Sequence, residues 1–281
     1  MSPPRLIAGL GEIARDHDAL ICDIWGVIHN GHAPFLEAAD ALRRFRRARG
    51  KVILLSNAPR PPGSVEAQFR RIGVATDFYD AIVTSGGAAR EDLAARAQRE
   101  PSFPLYYIGP EQDAGLLNGL DIVRSGIEKA DVALCVGLVD DLTETPDDYS
   151  DILAAMRARN LTMLCANPDL KVYRGSQLCW CAGALAGAYE AIGGPVVYYG
   201  KPYPAIYETA LKAAGRPSRA LAIGDALITD LKGAKNAGLA ALFIADGLHG
   251  EEIEPYTPEH LGEMFAAANV EAKAAMRDLR W

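Results

Sequence analysis

The chain has 281 residues, of which 49% are hydrophobic and 23% charged, and its net charge is -7. This size and composition are typical of one large or two ordinary globular domains, and the acidic balance argues against nucleic acid or an anionic membrane as a partner. No run of about 18 apolar residues occurs, so we expect no membrane span. Five cysteines in mostly apolar contexts indicate buried thiols in a reducing compartment, which predicts a cytoplasmic protein.

Strand-like and helix-like segments alternate along the first third of the chain. The apolar run 19–22 predicts a buried strand that ends at Asp23 and is followed by Ile24-Trp25-Gly26. Apolar residues recur at helical spacing between positions 35 and 48, and a second short apolar run, 51–55, leads directly into Ser56-Asn57. Such alternation predicts a mostly parallel sheet covered by helices.

A second alternating block begins near residue 105 and continues to a helix of small residues at 182–191. The first pattern then resumes, with a strand at 221–224, a helix at 229–237 for which Thr229 is the expected N-cap, and a strand at 240–245. We therefore predict an α/β fold with a doubly wound, mostly parallel sheet. The core comprises residues 1–101 and 196–281, and a second α/β domain is inserted at 102–195.

Several acidic side chains follow predicted strands. Asp23 ends the first one, and Asp225 and Asp230 lie in the segment after the strand at 221–224. The carboxyl ends of parallel strands form the crevice where α/β sheets bind ligands, so these side chains can face one cavity. A carboxylate that attacks a phosphate ester needs a divalent cation, and magnesium prefers oxygen ligands. Each residue alone is most often a turn former, but their joint occurrence with Ser56 and Lys201 predicts a phosphoryl-transfer site.

With these motifs the chain resembles the haloacid dehalogenase-like (HAD) superfamily. It is most similar to subclass IIA, which holds the NagD-like, 4-nitrophenylphosphatase-like and pyridoxal-phosphatase-like enzymes. The matching segments span most of the chain: Asp23, Ser56-Asn57 with Arg60, Asn167-Pro168-Asp169, Gly200-Lys201-Pro202, and Gly224-Asp225 with Thr229-Asp230. The resemblance implies a Rossmann-like core with an inserted α/β cap of the C2 type, which closes over the site.

The resemblance also implies residue roles. Asp23 would be the nucleophile that forms an aspartyl-phosphate, with Lys201 as its cationic partner. A Mg²⁺ ion would be held by Asp23, the backbone carbonyl of Trp25 and Asp225, with Asp230 in or next to the metal shell. The phosphate and the rest of a small phosphorylated metabolite would contact Ser56, Asn57, Arg60, Trp25, Gly26 and Asn167. A homodimer formed through the cap is common in this subclass.

One position departs from the family pattern. The phosphatases carry a second aspartate two residues after the nucleophile, and here that residue is Trp25. The carboxylic acid that protonates the leaving group is therefore missing, and such acid–base help is worth about 10²–10⁴ in rate. His29 or His32 could supply the proton, with His29 the preferred candidate. Alternatively, the substrate has a good leaving group, or the site only binds a phosphorylated ligand. Metal-free dehalogenase chemistry is disfavoured, because Asp225 and Asp230 would then crowd Asp23 with negative charge.

Overall fold

The protein forms two compact units in a computed structural model, which describes residues 3–174, 177–247 and 253–281. The first unit comprises Met1–Ser56, Gly63–Val83 and Lys201–Trp281. The second comprises Asn57–Pro62 and Thr84–Gly200. The chain therefore leaves the first unit and returns to it twice.

The first unit is built on a seven-stranded sheet. Its strands are β1 (Arg5–Leu6), β2 (Ala19–Asp23), β3 (Lys51–Ser56), β4 (Ala81–Thr84), β12 (Ala220–Gly224), β13 (Ala240–Ile244) and β14 (Ala274–Met276). Their order across the sheet is β1-β14-β13-β12-β2-β3-β4. The strand pairs whose register is resolved are parallel, and the middle strands are almost wholly buried. Continuous apolar strands of this kind are expected where both faces of a parallel sheet are covered.

Helices connect these strands. They are α1 (Leu36–Ala48), α2 (Pro62–Ile72), α6 (Pro204–Ala213), α7 (Lys232–Asn236) and α8 (Pro258–Ala267), with short 3₁₀ turns at Leu10–Glu12 and Ala14–Asp16. Of the apolar residues at helical spacing, Ala38, Leu42 and Phe45 are fully buried, whereas Phe35 is half-buried just before α1 and Ala48 is exposed. The helix thus forms because its apolar stripe packs on the sheet, as the spacing predicts.

The order of the strands places a switch point between β2 and β12. From β2 the chain moves outward through β3 and β4, and it later returns to β12 and moves the opposite way through β13 and β14. Right-handed crossovers in opposite directions put helices on opposite faces of the sheet, which makes the fold doubly wound. Ile223 lies opposite Cys22 in the register of these two strands, so Asp23 and Asp225 emerge at the same edge of the sheet.

The second unit contains a five-stranded parallel sheet. Its strands are β5 (Phe103–Ile108), β6 (Ile122–Arg124), β7 (Val132–Cys135), β8 (Thr162–Cys165) and β11 (Val196–Tyr198). Their order across the sheet is β11-β8-β7-β5-β6. A two-stranded antiparallel hairpin, β9 (Lys171–Arg174) and β10 (Gln177–Trp180), follows β8. The helices are α3 (Ser85–Arg99), α4 (Ser150–Ala158) and α5 (Ala182–Ala191), with 3₁₀ turns at Glu111–Leu117 and Pro146–Tyr149.

The second unit begins earlier in the chain than the inserted domain predicted at 102–195. Helix α3 precedes that range, yet its buried residues Ala89, Leu93 and Ala97 form one core with Leu105 and Leu134 of the second sheet. The N-terminus of α3 is capped by Thr84, whose hydroxyl accepts a hydrogen bond of 2.9 Å from the Gly87 N–H. The boundary at residue 102 divides this packing, whereas a boundary near 84 preserves it.

The α/β fold class with a doubly wound sheet is confirmed. The prediction that Thr229 is the N-cap residue of a helix is wrong. A π-helical turn spans Leu227–Leu231, and α7 begins only at Lys232. The Asp230 carboxylate, not Thr229, accepts the N–H of Ala226, at 3.2 Å. All five cysteines are buried, as predicted. Within the described residues, no helix has the length and apolar character needed to cross a membrane.

Candidate active site

Three carboxylates and one lysine converge at the switch point of the first sheet. Asp23 ends β2, Asp225 follows β12, and Asp230 comes from the π-helical turn after it. Lys201 lies shortly before α6 and supplies the only cation of this group. All four side chains belong to the first unit and are at most 7% exposed. We call these four residues the carboxylate cluster.

Lys201 links two of the acids. Its Nζ donates to Asp23 Oδ1 at 2.5 Å and to Asp230 Oδ1 at 2.7 Å. Such short, buried, charge-assisted hydrogen bonds hold both carboxylates in fixed orientations. The backbone behind them is also fixed, because the Tyr207 hydroxyl donates to the Asp230 carbonyl at 3.2 Å. Sequence analysis missed Tyr207, whose only signal was its place on the apolar face of α6.

The carboxylate cluster is suited to a hard divalent cation. One ligand oxygen each from Asp23, Asp225 and Asp230 lies within 4.8 Å of the others. Three carboxylates against one ammonium leave two negative charges, which a Mg²⁺ ion would balance with oxygen ligands. Two glycines allow this close approach. A Cβ on Gly224 would collide with the Asp230 side chain, and one on Gly247 would collide with Asp225.

Protonation reflects the same crowding. Burial raises the pKa of Asp23 well above its usual value, and the charges of Asp230 and Asp225 add to the rise while Lys201 opposes it. Burial alone would lower the pKa of Lys201, but Asp23 and Asp230 outweigh it and raise that pKa above the usual lysine value. Lys201 therefore stays charged. The cluster as a whole has unneutralised negative charge, which binding of a cation would relieve.

The loop after Asp23 packs around the Trp25 indole. Gly31, with a φ of +91°, lies so close to the ring that a Cβ would collide with it. The His29 ring meets the indole edge-on, with centroids 5.1 Å apart. The Gly26 N–H donates to the His29 carbonyl at 2.9 Å, which closes the turn. Trp25 is thus an integral part of this loop, and its side chain keeps the loop in one conformation.

His29 is a poor match for the predicted proton donor. Its ring is 1% exposed, lies against Phe69 as well as Trp25, and its Nδ1 accepts the Gly31 N–H at 2.9 Å. Burial lowers the pKa of His29 to about 4. The imidazole is therefore neutral near pH 7, and a neutral imidazole with one committed nitrogen is a packing group rather than an acid. This environment argues against His29 as the proton donor, and that role stays a prediction. His32, in contrast, is exposed.

The remaining predicted residues divide between the two units. Ser56 ends β3 beside Asp23 in the first unit, since Leu55 pairs with Asp23 in the sheet register. Asn57 and Asn167 lie in the second unit, where both contact Asp169. The Asn57 Nδ2 donates to Asp169 Oδ1 at 2.8 Å, and the Asp169 N–H donates to Asn167 Oδ1 at 3.1 Å. Sequence analysis cited Asp169 only as part of a motif and assigned it no role.

Arg60 also lies in the second unit. Its Nε donates to Asp113 Oδ1 at 2.7 Å, and that carboxylate is buried whereas the guanidinium is partly exposed. A nearly buried acid is normally paired in this way, so part of the binding capacity of Arg60 is used inside the protein. The prediction that Arg60 binds the phosphate stays untested, and Asp113 is a partner that no sequence motif indicated.

Comparison with known proteins identifies the family. The model of the haloacid dehalogenase-like hydrolases matches residues 20–123, and a second HAD-hydrolase-like model matches residues 198–268. A solved hydrolase of the haloacid dehalogenase-like family from Brucella suis 1330 is 38% identical, with a TM-score of 0.83 over 98% of this chain and 100% of that one. This chain belongs to the haloacid dehalogenase-like hydrolases.

Three further comparisons are with phosphatases. A D-glycerol 3-phosphate phosphatase from Mycobacterium tuberculosis is 31% identical over 85% of this chain, which spans 65% of that relative's length. A structure of a glycerol phosphate phosphatase from the same species, in complex with magnesium, has a TM-score of 0.64 at 26% identity, covering 89% of this chain and 77% of that one. The ribonucleotide monophosphatase NagD of Escherichia coli K12 is 26% identical over 89% of this chain and 98% of its own. These relatives support the similarity to subclass IIA.

Proposed function

We propose that this protein is a magnesium-dependent phosphatase that hydrolyses a small phosphorylated metabolite through an aspartyl-phosphate at Asp23. The convergence of Asp23, Lys201, Asp225 and Asp230 in one buried cluster carries this proposal. A net negative cluster at a sheet switch point has no evident structural benefit, because burying like charges costs free energy. Such unfavourable groupings are typical of catalytic sites.

The residues have distinct tasks in this reaction. A carboxylate oxygen of Asp23 bonds to phosphorus while the bond from phosphorus to the leaving oxygen breaks. Water then attacks the same phosphorus, the bond from phosphorus to the Asp23 oxygen breaks, and the proton released by the water passes to solvent. Inorganic phosphate leaves, and the Asp23 carboxylate is restored. Lys201 holds Asp23 in place and provides positive charge beside the transferred group. Magnesium, held by Asp23, Asp225, Asp230 and the Trp25 carbonyl, would supply the charge that lets an anionic nucleophile approach an anionic ester.

Substrate contacts follow from the predicted motifs. Ser56, Asn57, Gly26 and Trp25 would contact the phosphate, and Asn167 the remainder of the molecule. The relatives carry the names of glycerol phosphate and nucleotide phosphatases, which supports a small metabolite as substrate without naming one. We also propose a cytoplasmic protein whose cap is inserted into the core, and a homodimer as its assembled form.

The substitution of the second aspartate by Trp25 favours one other function, binding of a phosphorylated ligand with little turnover. Turnover of a chromogenic aryl phosphate, measured with and without magnesium, separates the two. The phosphatase proposal predicts saturable turnover that chelation abolishes and magnesium restores. Binding of inorganic phosphate without turnover of any aryl or alkyl ester would instead support the ligand-binding protein.

A matched pair of variants locates the metal site in the same assay. Asp225→Asn removes one charge from the carboxylate cluster and should raise the magnesium concentration needed for half-maximal activity. Asp246→Asn is the control, because Asp246 follows the adjacent strand β13 but is bonded to Arg277 at 3.0 Å. An equal magnesium requirement in both variants would contradict the proposed site.

A further inference from the structure

Trp25 carries a buried hydrogen-bond donor without an acceptor. Its Nε1 is shielded from solvent and contacts no acceptor in residues 3–174, 177–247 and 253–281. Buried polar atoms are almost always paired, and the indole N–H of tryptophan usually finds a partner when it is removed from water. A donor that has neither water nor a protein acceptor therefore calls for an explanation.

The indole does not need this N–H to hold its place. Its six-membered ring lies on Gly31, whose positive φ permits the contact, and its edge meets His29. His29 is in turn held by Phe69, at a centroid distance of 5.7 Å, and by the Gly31 N–H. Apolar and aromatic packing thus fixes the side chain. The N–H is the one polar group of the ring, and it takes no part in this packing.

The position of the residue suggests which molecule supplies the acceptor. Trp25 is two residues after Asp23, whose carboxylate is oriented by Lys201. In the reaction proposed above, the oxygens of a phosphoryl group come to Asp23, and anionic oxygens are strong acceptors. The Trp25 indole N–H is thus a side-chain donor close in sequence to the nucleophile, and no acceptor in the described residues occupies it.

We propose that the Trp25 indole N–H donates a hydrogen bond to a phosphoryl oxygen of the bound substrate. This inference rests on the proposed phosphatase function and adds a role for the residue that replaces the usual acid. An indole N–H does not transfer its proton, so it stabilises charge on oxygen without acting as an acid. The hydrogen bond would replace part of the transition-state stabilisation that the missing aspartate provides. This matters most for a leaving group that departs without being protonated.

Nuclear magnetic resonance of the indole N–H groups tests this directly. The chain has three tryptophans, Trp25, Trp180 and Trp281, so three indole signals are expected in the ¹⁵N-labelled protein. We would titrate the magnesium-loaded protein with inorganic phosphate. The Trp25 signal should move downfield and saturate together with phosphate binding measured by calorimetry, while the Trp281 signal stays in place. The Trp25→Phe variant assigns the signal, and proximity to the His29 ring protons assigns it independently if that variant does not fold.

Phosphate affinity gives a second readout. Trp25→Phe keeps an aromatic ring but removes the donor, and a lost hydrogen bond to a charged oxygen should weaken phosphate binding about ten- to hundredfold. Trp281→Phe should bind as wild type does. If phosphate binds to wild type but the Trp25 signal does not shift, or if Trp25→Phe binds equally well, the inference is wrong and the phosphatase proposal stands. If no phosphate binds to the wild-type protein, both fail.

Discussion

Acidification should destabilise the fold through His29. Burial lowers the pKa of His29 to about 4, from an ordinary value of 6.5. The unfolded chain therefore binds a proton at this site below about pH 6.5, whereas the folded protein does so only near pH 4. The free energy of unfolding therefore carries no penalty from His29 above pH 6.5, and it decreases as the pH falls from 6.5 toward 4. About 2.5 pH units at roughly 1.4 kcal/mol per unit give an upper limit of about 3.5 kcal/mol.

Urea unfolding followed by circular dichroism, at a series of pH values between 7 and 4 without magnesium, measures this effect. Other groups also titrate in this range, so the test is a comparison of slopes. His29→Asn should be less stable at pH 7, because the ring contacts with Trp25 and Phe69 are lost. Its stability should nevertheless fall less steeply with pH, since the amide oxygen can still accept the Gly31 N–H but does not titrate.

His32→Asn is the matched control, because His32 lies in the same loop and is exposed. Its stability should follow the wild-type pH dependence. If His29→Asn also loses stability as steeply as wild type between pH 6.5 and 4, His29 does not stay neutral in the folded state. His29 would then not be a neutral packing group, and it would again be a candidate proton donor.

Three further results are expected. Asp225→Asn should need at least about tenfold more magnesium for activity, or for thermal stabilisation, than Asp246→Asn, because one charged ligand is lost. Asp169→Asn and Asn57→Asp should each weaken phosphate affinity. The double variant exchanges the two side chains and reverses the hydrogen bond between them, so it should restore most of that affinity. If the double variant shows no recovery, the Asn57–Asp169 bond does not position the phosphate site. Wild type should hydrolyse aryl phosphates much faster than alkyl phosphates, and Trp25→Asp should narrow that ratio; a ratio near one in wild type would contradict this.

The sequence predicted the positions of the carboxylate cluster because two simple signals coincide there. Short apolar runs mark buried parallel strands, and a polar residue at the end of such a run lies at the ligand-binding edge of the sheet. Asp23 ends β2 and Asp225 directly follows the adjacent strand β12, and a carboxylate oxygen of each lies within 4.8 Å of the other. Lys201 follows no strand of the sheet, and only the match of its motif to the family indicated that it belongs here.

Other features depend on contacts between distant segments, which no local pattern encodes. The environment of His29 results from Gly31 and Phe69, so its burial and lowered pKa were not foreseeable from a polar loop sequence. Asn57 and Asp169 are 112 residues apart in the chain. Helix α3 packs on the second sheet through contacts with Leu105 and Leu134 that no local pattern in residues 85–99 reveals, so the predicted boundary at 102 differs from the packing.

Turnover by Asp23→Asn tests the central claim most directly. Asparagine has nearly the shape of aspartate and can still accept a hydrogen bond from Lys201, but its amide does not attack phosphorus. With saturating magnesium and a chromogenic aryl phosphate, we expect the kcat of Asp23→Asn to fall at least about a hundredfold, with an unchanged Tm and with Asp246→Asn close to wild type. Residual activity above about one percent of wild type in a folded Asp23→Asn protein, free of contaminating phosphatase, would contradict covalent catalysis by Asp23.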